Sequence, residues 1–221
     1  MLQKTVAMAM AVAVLGMLPM GQVSAANANG AIAQGVDASK HNGAVNWGQV
    51  AASGMQFAFI KVGSTNSGVD PQFAANITGA QSAGLKTGIY LYSYATTPEQ
   101  AQQEANLVLQ WIEGYTVNYP IVFDIEDKCH KNLSNQQLID INAFCKKVET
   151  AGYYPMVYSY KNMFDTKLSI CGWDRWVAQY NSSCGHTNNV CFWQYSSSGK
   201  VNGFSGRVDV NYQFKDYSNL I

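Results

Sequence analysis

The sequence predicts an α/β chain folded as an irregular TIM-like barrel, about five βα units followed by strands with loop connections. Three observations carry this. Strand-like and helix-like segments alternate from residue 32 to residue 160, at a spacing that suits a parallel sheet with right-handed crossovers. Beyond Trp173 the strand-like segments lie too close together to hold full helices between them. Acidic residues recur at the ends of separate strands, where active groups gather in such sheets, and they converge only if the sheet closes.

The elements follow in order. After a short polar spacer, Ala26 to Gly30, Ile32 to Asp37 reads as the first strand and Trp47 to Ala52 as a helix. Phe57 to Val62 is the second strand, and Pro71 to Ala83 a helix with proline at its start and Gly84 just past its end. Thr87 to Tyr94 is the third strand. Pro98 to Gly114 is a long amphipathic helix whose Thr97-Pro98-Glu99 start supplies a cap and an early acid. Ile121 to Glu126 is the fourth strand, Ser134 to Ala151 a helix capped by Ser134 and stopped by Gly152, and Met156 to Tyr160 the fifth strand. Short strands at Arg175 to Tyr180, Phe192 to Ser196 and Val208 to Asn211 complete the barrel. No linker, repeat array or second domain is visible.

Lys4, an uncharged and mostly apolar stretch from Val6 to Met20, and then Val23-Ser24-Ala25 have the layout of a secretory signal peptide cleaved after Ala25. Residues 1–25 are therefore expected to be removed, leaving 26–221 as a single secreted domain. An uncleaved membrane anchor is the other reading, and the apolar run is short for a spanning helix. The full chain carries 14 Lys and Arg against 14 Asp and Glu. No basic face is implied, which excludes nucleic acid and an anionic membrane as expected partners. Tyrosine is plentiful, with 13 residues beside 9 Phe and 5 Trp; such a composition suits stacking on sugars and also suits an ordinary core.

All five cysteines lie beyond residue 128. Export into an oxidising environment makes two disulfides and one free thiol the default. Cys184 with Cys191 and Cys129 with Cys145 are plausible bridges, although connectivity does not follow from sequence. Zinc is the alternative for Cys129-His130 and Cys184-Gly185-His186, at spacings that match no standard finger.

The most informative segment is Asp124-Ile125-Glu126, which closes the apolar run Tyr119-Pro120-Ile121-Val122-Phe123. Residues i and i+2 of a strand point to one face, with Cα atoms roughly 6–7 Å apart. Two neighbouring acids push their pKa values apart, so that one stays protonated while the other ionises. Glycoside cleavage needs that division of labour. A buried acid pair also serves structural or metal-binding roles, so the motif alone does not decide.

With these residues in view, the chain resembles glycoside hydrolase family 25, the Chalaropsis-type muramidases, over nearly all of residues 26–221. The resemblance begins at Gly35-Val36-Asp37-Ala38-Ser39-Lys40-His41-Asn42-Gly43 with Trp47 following. It continues through Phe59-Ile60-Lys61, Asp70-Pro71-Gln72-Phe73 and Ala83-Gly84-Leu85-Lys86-Thr87-Gly88-Ile89-Tyr90. Asp124-Ile125-Glu126, Val157-Tyr158, Trp176-Val177-Ala178-Gln179-Tyr180, Trp193-Gln194-Tyr195 and Val208-Asp209-Val210-Asn211 follow in order. The resemblance implies hydrolysis of peptidoglycan between N-acetylmuramic acid and N-acetylglucosamine, without metal or cofactor, by a secreted monomer. Glu126 matches the general acid. Asp124 matches the partner that assists the substrate's own acetamido group, with net retention. Asp37 and Asp209 match the remaining pocket acids. Tyr90, Tyr92, Tyr158, Tyr180 and Trp193 are expected to line the sugar site, and Gln194 to bind an acetamido group or close a barrel hydrogen bond. His41 reads as a loop residue.

Two departures stand out. Val62-Gly63-Ser64-Thr65 lacks the glutamate many members carry there, and Tyr90-Leu91-Tyr92 lacks a common histidine. Both bear on glycan preference more than on reaction type. A chitinase-like hydrolase would show a longer acidic motif, and Tyr119, Pro120 and Val122 stand where its acids belong. A catalytically silent carbohydrate-binding barrel is the rival from another class.

Overall fold

The computed structural model describes residues 29–221 apart from Ile170 and Thr187, so the expected leader lies outside the described residues. The strands are β1 (Ala33–Ala38), β2 (Phe57–Ser64), β3 (Gly68–Val69), β4 (Lys86–Tyr92), β5 (Ile121–Asp124), β6 (Pro155–Tyr160), β7 (Asp174–Ala178), β8 (Val190–Gly199) and β9 (Val208–Gln213). The helices are α1 (Trp47–Ala52), α2 (Phe73–Ser82), α3 (Pro98–Trp111), α4 (Asn135–Asp140), α5 (Ala143–Thr150) and α6 (Lys161–Thr166). The sheet runs β1-β9-β8-β7-β6-β5-β4-β2-β3, and a parallel β1–β2 pairing closes it. The result is an eight-stranded barrel with β3 folded back on β2. Five βα units precede three strands with loop connections, as the sequence predicts.

Period-two alternation sorts the side chains into two cores. On β5, Ile121, Phe123 and the following Ile125 face the helices, while Val122 points into the barrel. Phe123 stacks on Phe144 of α5 at a centroid distance of 4.5 Å. Inside, Phe59 stacks on Trp176 at 4.5 Å and Phe192 on Tyr217 at 5.6 Å. Such pairs contribute about 0.5–1.5 kcal/mol each beyond the area they bury. This aromatic plug fills the barrel below the acids, so the cavity opens at the carboxyl ends of the strands.

Close packing here depends on glycine. A Cβ on Gly88 would lie 2.4 Å from the Phe59 ring and 2.7 Å from the Pro120 carbonyl oxygen. Gly88→Ala is therefore expected to destabilise the fold by about 1–3 kcal/mol, the usual cost of overpacking a core. Urea denaturation measures it, and an unchanged midpoint would contradict the packing described.

The structure departs from the sequence reading in four places. The helix expected over 134–151 is two, α4 and α5. At the break the Asn142 side chain donates to the Leu138 carbonyl oxygen, 3.1 Å, in competition with the helical ladder. Strand β3 and helix α6 are additional short elements. β9 runs antiparallel to both neighbours, because residues 200–207 are too few for the crossover a parallel strand requires.

The expected disulfides are the fourth difference: all five cysteines are free. Cys145 is buried on α5 between sheet and helices, whereas Cys129 sits in a 3-10 turn with its Sγ toward the Tyr94 carbonyl oxygen. Cys191 is buried in the barrel interior, whereas Cys184 packs against the outer core. Cys184 and Cys191 are thus split between separate layers, and Cys129 and Cys145 sit in different elements without a bond. Among the described residues, no group of three His, Cys, Asp or Glu side chains is placed to hold a metal ion.

Candidate active site

The strand pattern that buries the core also aims the acids. Asp37 lies between the outward-facing Val36 and Ala38, Asp209 between Val208 and Val210, and Asp124 between Phe123 and Ile125. All three therefore enter the barrel mouth, and Glu126, two residues beyond Asp124, does the same. Asp37 and Asp209 are direct partners across β1 and β9, and Asp124 is flanked by Tyr92 of β4 and Tyr158 of β6. With Tyr90, Tyr92 and Lys61 the four acids line one cavity of about 370 Å³. Immediately after Asp37 the chain turns sharply. The Ser39 side chain accepts from the His41 amide while Asn42 Oδ1 accepts from the Ser39 amide, 2.9 Å. The exposed His41 is left on the cavity rim.

A polar network fixes one side of the mouth. Asp37 Oδ2 accepts from Gln194 Nε2 at 2.9 Å and from Asn211 Nδ2 at 2.8 Å. Gln194 Oε1 accepts from the hydroxyls of Tyr158 and Tyr180, both at 2.9 Å. Trp176 Nε1 donates to Asn211 Oδ1, 2.8 Å. Gln194 therefore completes a barrel hydrogen bond. On the opposite side the Tyr92 hydroxyl donates to Asp127 at 3.1 Å. Behind β4, the buried Glu104 of α3 accepts from Ser93 Oγ and the Tyr94 amide, holding the strand end that presents Tyr92.

Electrostatics set the protonation pattern. Burial first, then repulsion from Glu126, holds Asp124 well above the ordinary carboxylate range, and Lys61 opposes the rise. Asp124 Oδ1 is buried without a hydrogen-bond partner, an arrangement that costs an ionised carboxylate most. Burial also raises Glu126, although less strongly, with the Tyr160 hydroxyl and Lys61 favouring its ionised form. Burial and then repulsion from Asp209 push Asp37 up, and burial raises Asp209. The four acids thus hold more protons near neutrality than free carboxylates would.

Most sequence-predicted residues meet at this mouth. Asp37, Asp124, Glu126, Asp209, Tyr90 and Tyr92 line the cavity. Tyr158, Tyr180 and Gln194 form the network beside it, with Tyr180 51 % exposed. Trp193 is the exception. It is fully buried in the outer core, donating its indole N–H to the Gln179 carbonyl oxygen at 2.8 Å. As the neighbour of inward-facing Gln194 it must face the other way.

Two residues were missed. Lys61 sits with its Nζ 4.7 Å from the Tyr92 ring centroid and 5.9 Å from that of Tyr90. It is the half-buried cation among the acids, and its phase with Phe57 and Phe59 on β2 is the signal that could have found it. Tyr160, 43 % exposed beside Glu126, shares the face of Tyr158 on β6.

Comparison with known proteins agrees with this fold. The family described as Glycosyl hydrolases family 25 matches residues 36–204. The uncharacterized protein YegX of Escherichia coli strain K12 is 31% identical over 188 residues, covering 80% of this chain and 68% of YegX. The modular autolysin LytC of Streptococcus pneumoniae, solved in complex with a synthetic peptidoglycan ligand, superposes with a TM-score of 0.74 at 28% identity. That match covers 81% of this chain and 46% of LytC. The lysozyme of Streptomyces coelicolor superposes with a TM-score of 0.71 at 28% identity, over 83% of this chain and 93% of the lysozyme.

Proposed function

The chain belongs to glycosyl hydrolases family 25, and on that footing we propose that it is a secreted, monomeric lysozyme. Its substrate is the β-1,4 bond between N-acetylmuramic acid and N-acetylglucosamine in peptidoglycan. The observation that carries this reading is the pair Asp124 and Glu126 at the mouth of the closed barrel, with Asp124 Oδ1 buried and unpartnered. Likeness to a lysozyme and to an autolysin solved with a peptidoglycan ligand supports the substrate class.

The reaction divides between the two acids. A bound sugar places its acetamido N–H at Asp124 Oδ1, which has no hydrogen-bond partner within the protein. The hydrogen bond so made favours ionised Asp124 and leaves the shared proton to Glu126. Glu126 gives this proton to the glycosidic oxygen as the bond to the anomeric carbon breaks, and the acetamido oxygen closes on that carbon. Glu126, now ionised, takes a proton from water, and the water opens the ring intermediate from the face the leaving group occupied. Two displacements give net retention. Release of product from purified peptidoglycan, with the anomer identified by NMR before mutarotation, tests the scheme. The β-anomer first supports it, and the α-anomer first overturns it.

Lys61 acts through the acids as a positioning residue. It favours the ionised form of both Asp124 and Glu126, so Lys61→Met raises both pKa values. Both limbs of the pH profile of kcat/KM are expected to move toward alkaline pH. Limbs that stay in place would remove Lys61 from the electrostatics of the site.

A further inference from the structure

The cavity that holds the acids does not end at its rim. Arg207 lines both this cavity and a second hollow of about 460 Å³ along residues 200–207, the loop joining β8 to β9. Gln49, Gly203, Phe204 and Ser205 line the second hollow and also a third, of about 790 Å³, between that loop and the start of α1. The three follow one another at the carboxyl-end face of the barrel. The groove is built rather than incidental. The Asn46 amide donates to the Gly203 carbonyl oxygen at 2.9 Å. Phe204 packs edge-on against Trp47 at a centroid distance of 5.9 Å. Gly203, at φ +103°, lets the loop approach so closely that a Cβ would lie 2.4 Å from the Asn46 carbonyl oxygen.

Charge separates this groove from the acidic cavity it leaves. Lys200 and Arg207 are the charged residues lining the second and third hollows, and no acid joins them. Both are exposed, and neither belongs to an ion pair among the described residues. The surface therefore offers two free cations, small residues and an aromatic floor, which together fit a short peptide bearing carboxylates and methyl side chains.

We propose that this groove binds the peptide stem carried by the muramic acid whose bond is cleaved. The proposal rests on the peptidoglycan reading above and extends it. The stem is joined to the sugar in the site, so it must leave that site along the surface, and continuity through Arg207 gives it the path. Its carboxylates answer Lys200 and Arg207, and its alanine methyls answer Phe204. The enzyme therefore prefers glycan strands that still carry stems over naked ones.

The test compares glycan strands bearing stems with the same strands stripped by an amidase. Wild-type protein is expected to cleave the stem-bearing strands with the higher kcat/KM. Lys200→Glu is expected to lose about threefold to fivefold on stem-bearing strands, the scale of an exposed charge contact. It is expected to match wild type on stripped ones, while Lys200→Arg keeps the preference. Indifference of the wild type to stems, or equal losses on both strands, would overturn the proposal. If neither strand is cleaved, the hydrolase reading fails separately, and calorimetry with muropeptides decides the groove. Tighter binding of the stem-bearing muropeptide, weakened by Lys200→Glu, supports it. Equal affinity for both overturns it, as does binding of a stem-free polyphosphate chain in place of the muropeptide.

Discussion

Glu126→Gln is expected to lower kcat/KM on peptidoglycan by about 10²–10⁴-fold, the usual contribution of a general acid, while the protein folds normally. The amide keeps the shape of the side chain and the contact with Tyr160 but has no proton to give to the glycosidic oxygen. Folding is spared because Glu126 lies at the mouth, beyond the last residue of β5, and no core packing depends on its charge. Removing the charge also relieves the repulsion it exerts on Asp124. The variant should therefore melt no lower than wild type while its activity disappears. A variant retaining most of its activity would place the acid elsewhere. Reduced activity accompanied by a loss of fold, seen by circular dichroism, would remove the case for a purely chemical role.

Asp124→Asn is expected to separate activity from stability more sharply still. Losing the carboxylate that orients the acetamido group costs about 10²-fold, the scale of a small misplacement of reacting atoms. Stability moves the other way, and its sign follows from linkage. Burial and then Glu126 raise the folded-state pKa of Asp124 above its unfolded value. The folded state therefore binds the proton more tightly, and this contribution to stability is fully present below the unfolded pKa. It is lost as pH rises through the folded value. Wild type should accordingly be less stable at pH 8 than at pH 5. Asp124→Asn removes the Asp124 share of that slope and should melt about 2–4 °C higher at pH 8, the equivalent of roughly 1 kcal/mol in a domain of this size. Thermal scans at both pH values check it. A variant that melts lower than wild type at pH 8 would mean that the buried charge is stabilised by contacts the site does not display. The combination expected, a more stable and less active protein, is the usual mark of a site held in tension for chemistry.

The site was legible where strand periodicity does the positioning. Alternation on β5 is enough to put Asp124 and Glu126 on one face and to turn Phe123 and Ile125 to the other. The same rule applied to β8 would have turned Trp193 away from the sugar, because Gln194 beside it faces in. Its aromatic character suggested a sugar contact, but its position on the strand made it core. Lys61 was quoted in a motif and given no role, although Phe57, Phe59 and Lys61 form one inward row. What no local rule could supply was depth. Burial of Asp124 without a partner, and the bridge from Gln194 to Asp37, Tyr158 and Tyr180, depend on β1, β6 and β8 meeting across a closed barrel. Gln194 lies 157 positions from Asp37 and 36 from Tyr158 in the chain.

The cysteines show the opposite error. Proximity in sequence and the chemistry expected of an exported protein suggested bridges. Yet Cys129 sits in a 3-10 turn with its Sγ toward the Tyr94 carbonyl oxygen while Cys145 is buried on α5, and both are free. Layers, rather than sequence spacing, decide which thiols can meet. The five free thiols and the absence of a cross-link leave the stability of the barrel to its two apolar cores.

The most direct test of the account is to identify the sugar that carries the new reducing end. Residues 26–221 and the Glu126→Gln variant are incubated with purified peptidoglycan, the products are reduced with borohydride, and the reduced sugars are identified by mass spectrometry. Reduced muramic acid from the wild-type protein, and none from the variant, is the expected result. Reduced glucosamine would move the bond cleaved. No new ends, from a protein that still pellets with the wall, would contradict the account and leave a carbohydrate-binding barrel in its place.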